Sequence, residues 1–191
     1  MLEAFTTSTA IVALAEIGDK TQLLAIVLAA RFKRPLPIVL GILAATLANH
    51  FLAALLGATA AAFLDGMWFR LAIAVGFVAM GLWTLVPDKL DEEEAPQTSG
   101  RGAFLATLVA FFLVEMGDKT QIATIALGAR FNDALAVTAG TTLGMMLANV
   151  PAVVFGNALI RRVPLDVVRM VAAALLVATG AWLFVQTVGP W

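Results

Sequence analysis

The chain has 191 residues, 61% of them hydrophobic and 13% charged, with a formal net charge of -1 and a mean hydropathy of +0.95. A soluble domain carries about 25% charged residues, so this composition excludes a water-facing surface, and the near-neutral balance excludes a nucleic-acid binder, which wants a basic face. The lack of cysteine removes disulfides, thiolate metal sites and a cysteine nucleophile, and the single histidine, His50, argues against a histidine-rich metal centre or a Ser-His-Asp triad.

Six apolar stretches follow in chain order: Phe5–Ala30, Leu36–Leu64, Trp68–Val86, Ala103–Ala129, Ala134–Ile160 and Arg169–Val188. Each reaches the roughly 20 residues that a helix needs to cross about 30 Å of hydrocarbon, and the longer ones predict tilt, kinks or a broken helix. The expected fold class is therefore an all-α integral membrane protein with six transmembrane helices. β-Barrel strands, with their short alternating segments, are not indicated. Prolines mark the boundaries: Pro35 and Pro37 before the second stretch, Pro87 after the third, Pro164 before the sixth. The first stretch does not read as a cleavable signal, because Glu3 stands where a basic segment belongs.

The chain repeats itself. Ala15–Phe32 reads AEIGDKTQLLAIVLAARF and Val114–Phe131 reads VEMGDKTQIATIALGARF, identical at 11 of 18 positions with an offset of 99. The same offset pairs Arg70 with Arg169, Gly81 with Gly180 and Trp83 with Trp182; Leu47-Ala48-Asn49 matches Leu147-Ala148-Asn149 one residue out of step. Three spans per copy is an odd number, so the second copy enters the membrane from the opposite side, giving two inverted-topology three-helix repeats. The expected units are residues 1–87 and 102–191, joined by the acidic stretch 88–101, which reads as a solvated cytoplasmic linker. Basic residues cluster on the side of Arg31, Lys33, Arg34, Lys89, Arg101, Arg161, Arg162 and Arg169, against Arg70 and Arg130 on the other. The first side is then cytoplasmic, and both termini lie outside.

Four acidic residues fall inside apolar stretches: Glu16, Asp19, Glu115 and Asp118. Eleven residues precede Glu16 in its stretch, about 16 Å of helix, which places it near the bilayer midplane. A carboxylate there costs about 2.5–3.5 kcal/mol and needs a cavity or a partner. Each copy reads Glu-x-Gly-Asp-Lys-Thr-Gln, and on a continuous helix Glu16, Asp19 and Lys20 would share a face. Gly18 and Gly117 weaken the helix there, and an unwound turn would free carbonyls to line a polar cavity. Each motif sums to one negative charge, so two facing motifs suit a divalent cation. Oxygen donors alone favour calcium, manganese or magnesium over zinc or copper. Cation and proton would compete for the same carboxylates, so the four acidic residues serve both metal binding and proton coupling.

Other positions are weighed less sharply. Lys20 and Lys119 are motif counter-charges before they are ligands, since an ammonium has no lone pair. Thr21, Gln22, Thr120 and Gln121 stand between additional oxygen ligands and inter-helix hydrogen bonds, and Asn49 and Asn149 add oxygens or pack helices. His50, with Val150 opposite it in the second copy, reads as a polar packing residue ahead of a proton relay.

The doubled E-x-G-D-[KR]-[ST] motif resembles the Gdt-type cation/proton exchangers, which include Golgi manganese/calcium transporters and bacterial manganese exporters and are distantly related to lysine-exporter-type transporters. The resemblance covers essentially the whole chain, with the motif on Glu16, Gly18, Asp19, Lys20 and Thr21 and again on Glu115, Gly117, Asp118, Lys119 and Thr120. It implies that the two acidic pairs bind an ion and that manganese or calcium is exchanged for protons. The short chain, without a leader extension, resembles the bacterial members, which points to a bacterial inner membrane and manganese export. The expected partners are divalent cations, protons and the lipid bilayer, with homo-oligomerisation open. No resident cofactor and no enzymatic activity are expected. The alternatives are an exporter of small organic cations or amino acids, and a cation channel with an acidic ring.

Overall fold

In the computed structural model, which describes residues 1–64, 66–86, 102–156 and 164–189, every regular element among the described residues is a helix. The helices are α1 (Leu2–Glu16), α2 (Lys20–Phe32), α3 (Pro35–Phe63), α4 (Met67–Thr84), α5 (Ala103–Glu115), α6 (Lys119–Phe131), α7 (Ala134–Phe155) and α8 (Leu165–Val188). By length and composition α3, α4, α7 and α8 suffice to cross a membrane. They follow the expected second, third, fifth and sixth stretches closely. Pro35 opens α3 at a position where a missing N–H costs nothing, and Pro164 stands just ahead of α8. Helix α7 ends at Gly156, whose φ of +59° stops it. The expected acidic linker 88–101 and the end of the fifth stretch at Ile160 lie outside the described residues.

The first and fourth stretches are not continuous helices. Each is two short helices, of 15 and 13 residues for α1 and α2 and of 13 and 13 for α5 and α6. At 1.5 Å per residue none of these four is longer than about 23 Å, short of a bilayer core. The breaks fall at Ile17–Asp19 and Met116–Asp118, where Gly18 and Gly117 take φ of +83° and +80°. Those values lie in the left-handed region that residues with a Cβ avoid. The motif glycine thus turns the chain, and the aspartate after it sits in extended backbone and starts the next helix.

The interior combines apolar clusters with an unusual share of polar side chains, and the outside is apolar. Helix α1 lies along α7, α4 along α8, and α3 against α5, α6 and α7. Backbones come close where glycine allows it: a Cβ on Gly81 would lie 2.9 Å from the Ala173 carbonyl, and one on Gly180 would lie 2.6 Å from that of Ala74. Buried apolar side chains form two clusters, one around Leu24, Leu28, Ile38, Ile42 and Phe111, the other around Ile11, Phe77, Met80, Leu127 and Leu176. Buried threonines such as Thr107, Thr124 and Thr141 donate to the carbonyl four residues back, which satisfies them without a partner helix. Trp68, Leu82, Met170, Trp182 and Phe184 face outward on α4 and α8. Outward apolar surface on this scale needs lipid or another apolar partner to cover it.

Candidate cation site

The two breaks are built alike, by the motif residues themselves. The N–H of Gly18 donates to Gln22 Oε1 at 2.9 Å, and that of Gly117 to Gln121 Oε1 at 2.7 Å. Each glutamine therefore reaches back from the first turn of its helix to the backbone N–H of the residue before the N-cap aspartate. The Asp19 and Asp118 N–H groups donate to the Glu16 and Glu115 carbonyls. Asp118 also accepts from the Thr120 N–H at 3.4 Å. Negative charge is stabilised at the starts of helices such as α2 and α6.

The acidic side chains of the two motifs meet in the interior. Glu16 and Glu115 are completely buried, and Asp19 and Asp118 nearly so. One carboxylate oxygen from each of Glu16, Asp19 and Asp118 lies within 4.8 Å of the others, the only such group among the described residues. Glu115 is outside that trio, although it acts electrostatically on Glu16. The lysines pair across the motifs. Lys119 Nζ lies 3.3 Å from Asp19 Oδ1, and Lys20 Nζ lies 3.5 Å from Asp118 Oδ1. The helix is broken where a continuous one would put Glu16, Asp19 and Lys20 on one face, yet Glu16 and Asp19 still come together. With α1 ending at Glu16 and α2 starting at Lys20, the Lys20 ammonium reaches Asp118 of the other copy.

The threonines are unequal. Thr21 donates to Glu16 Oε2 at 2.6 Å, and Thr120 donates to Glu16 Oε1 rather than to the glutamate of its own motif. Both oxygens of Glu16 thus accept a hydroxyl, whereas neither oxygen of Glu115 has a hydrogen-bond partner. The breaks also differ in exposure: Gly18 is buried under the Leu165 side chain, while Gly117 and Met116 are exposed.

The remaining expected oxygen donors frame the site. Gln22 Nε2 donates to the Ala148 carbonyl of α7 at 3.0 Å, and Asn49 Nδ2 to the Phe112 carbonyl of α5 at 3.0 Å. Asn149 donates within α7 to the Met145 carbonyl and leaves Oδ1 without a hydrogen-bond partner. His50, expected as a polar packing residue ahead of a proton relay, lies beside the glutamate of the second motif. His50 is completely buried, and its Nε2 is 3.9 Å from Glu115 Oε2. Its place directly after Asn49, the last residue of the short segment repeated in α7, was the available signal. A separate cavity of about 680 Å³ near the termini, lined by Glu3, Arg70, Arg130, Asn132 and Gln186, shares no residue with this cluster.

A set of buried carboxylates with hydroxyls and amides around it, balanced by two lysines, is equipped to exchange a cation for protons or for its own lysine partners. The comparisons point the same way. The sequence matches the family described as "Divalent cation/proton antiporter GDT1" over residues 4–92 and again over 103–191. A Vibrio cholerae protein named "Putative manganese exporter" is 53% identical over 165 residues, which cover 86% of this chain and 82% of that one. A GDT1-like protein of Synechocystis is 31% identical, covering 95% of this chain and 98% of its own. GDT1-like protein 5 of Arabidopsis thaliana is 30% identical, covering 94% of each. No solved structure matches the chain. With two matches that together span nearly every residue, each containing one acidic motif, the chain belongs to the GDT1 family of divalent cation/proton antiporters and is a transporter, not an enzyme.

Proposed function

We propose that this chain exports Mn²⁺, with Ca²⁺ as a second cargo, from the cytoplasm in exchange for protons, and that the ion is held between the two E-x-G-D motifs near the membrane midplane. One observation carries the reading: three buried carboxylates drawn from both motifs, Glu16, Asp19 and Asp118, converge within 4.8 Å. Fully ionised, the four acidic residues and two lysines of the motifs sum to minus two, the charge that a dication neutralises. Manganese as cargo is supported by the name of the Vibrio cholerae relative.

In this reading Glu16, Asp19, Asp118 and Glu115 are the ligands and the proton carriers. Lys20 and Lys119 hold the aspartates when the ion is absent and give way when it arrives. Protons compete for the same oxygens, so loading from one side and release to the other follow the proton gradient. Gln22 and Gln121 keep the breaks open, and Thr21 and Thr120 orient Glu16. The six spans form two inverted three-helix repeats, residues 1–87 and 102–191, joined by a cytoplasmic linker over 88–101. The pseudo-two-fold axis then relates the two breaks, as in other transporters whose sites lie between discontinuous helices. Both termini lie outside, and the membrane is the bacterial inner membrane.

Purified protein in liposomes, with an imposed pH gradient and a Mn²⁺-sensitive dye inside, tests this. Mn²⁺ flux should require the gradient, reverse with its sign, and carry protons the opposite way. Flux that runs down the Mn²⁺ gradient alone, indifferent to pH, would identify a channel and refute the exchange.

A further inference from the structure

Resting on that reading of the site, we infer that His50 is a nitrogen ligand of the transported ion, sharing it with Glu115, and that this imidazole selects first-row transition cations over Ca²⁺ and Mg²⁺. The starting point is an imbalance in hydrogen bonding. His50 is completely buried in α3, and neither of its ring nitrogens has a hydrogen-bond partner; the same holds for both oxygens of Glu115. A neutral imidazole has one donor and one acceptor, and burying both unmet is costly. Buried polar groups are nearly always paired, so two facing side chains without partners call for an explanation.

The distance between the two side chains says which one. At 3.9 Å, His50 Nε2 and Glu115 Oε2 are too far apart for a hydrogen bond. Two donors bound to one ion, each about 2.1 Å from it, are up to about 4.2 Å apart, so the observed gap accommodates a shared cation with only small adjustments. Glu16 lies close enough to act electrostatically on both His50 and Glu115. A carboxylate of the trio and the His50–Glu115 pair therefore belong to one polar interior. Calcium and magnesium take oxygen ligands, whereas first-row transition cations accept imidazole readily. One nitrogen among carboxylates therefore shifts the balance toward Mn²⁺ and Fe²⁺. Val150 stands at the matching place in the second copy, so the selectivity is carried by one repeat alone.

His50 is the only histidine in the chain, which makes a direct test available. Untagged protein, grown with ¹⁵N-histidine and loaded with Mn²⁺, is examined by pulsed electron paramagnetic resonance. A ¹⁵N coupling of directly bound imidazole is expected; bound Mn²⁺ without it overturns the inference while leaving the exchange reading intact. Protein that binds no Mn²⁺ at all overturns both. The second arm uses His50→Gln and His50→Val in the liposome assay with Mn²⁺ and Ca²⁺ in competition. The preference for Mn²⁺ over Ca²⁺ should fall roughly tenfold or more, with Ca²⁺ flux retained. Equal loss of both ions, or an unchanged ratio, would mean that the histidine only packs.

Discussion

Replacing Lys119 by methionine tests whether the crossed lysine–aspartate pairs hold the ion-free site together. The Lys119 ammonium is 3.3 Å from Asp19 Oδ1, with side-chain exposures of 9% and 3%. At an effective dielectric of about 20, charges at that separation attract by about 5 kcal/mol before the cost of desolvating them. Removing one member of such a buried pair strands the other and typically costs about 3–5 kcal/mol. Lys119→Met keeps the length of the stem, so its cost reports on the charge rather than on packing. Ion-free stability should drop by that amount in equilibrium unfolding by dodecyl sulfate from mild detergent. Adding Asp19→Asn removes the stranded charge and should recover at least about 2 kcal/mol of the loss, a coupling that independent sites do not show. Because a dication replaces the lost ammonium, Mn²⁺ should stabilise Lys119→Met more than it stabilises the wild type. A single mutant as stable as wild type, or losses that simply add, would show that the pair contributes nothing and would refute the lysine-for-cation exchange.

Glu16→Gln and Glu115→Gln should each abolish nearly all proton-coupled Mn²⁺ flux, with the double mutant scarcely worse; single mutants keeping about half the activity would mean two independent sites. Mn²⁺ affinity, measured by calorimetry in detergent, should weaken as pH falls, because protons occupy the same carboxylate oxygens and their uptake opposes binding. A constant affinity from mildly acidic to mildly alkaline pH would rule out a shared site. Gly18→Ala and Gly117→Ala should each lose about 1–2 kcal/mol, since alanine resists the positive φ at both breaks. Unfolding midpoints equal to wild type would mean that the breaks tolerate a Cβ.

The membrane class, the internal sequence repeat and the four carboxylates of the candidate site are legible in the amino-acid string. Hydropathy is a local sum, the 99-residue offset is visible in the string, and four carboxylates stand out in apolar surroundings. Even the weak points of the first and fourth stretches were marked, because glycine is the residue that tolerates the backbone found there. That each glycine ends one helix and lets the aspartate after it begin another emerges only in three dimensions, where Lys20 pairs with Asp118 of the other copy. The partner choices across the site, Lys119 to Asp19 and Thr120 to Glu16, join residues about a hundred positions apart. Nothing in the local pattern of either motif specifies such contacts; they are set by how the two broken helices pack against α3 and α7. His50 shows the same limit. As a lone histidine on an apolar helix it resembled packing, and its proximity to Glu115 exists only because α3 lies against α5, where Asn49 bonds the Phe112 carbonyl.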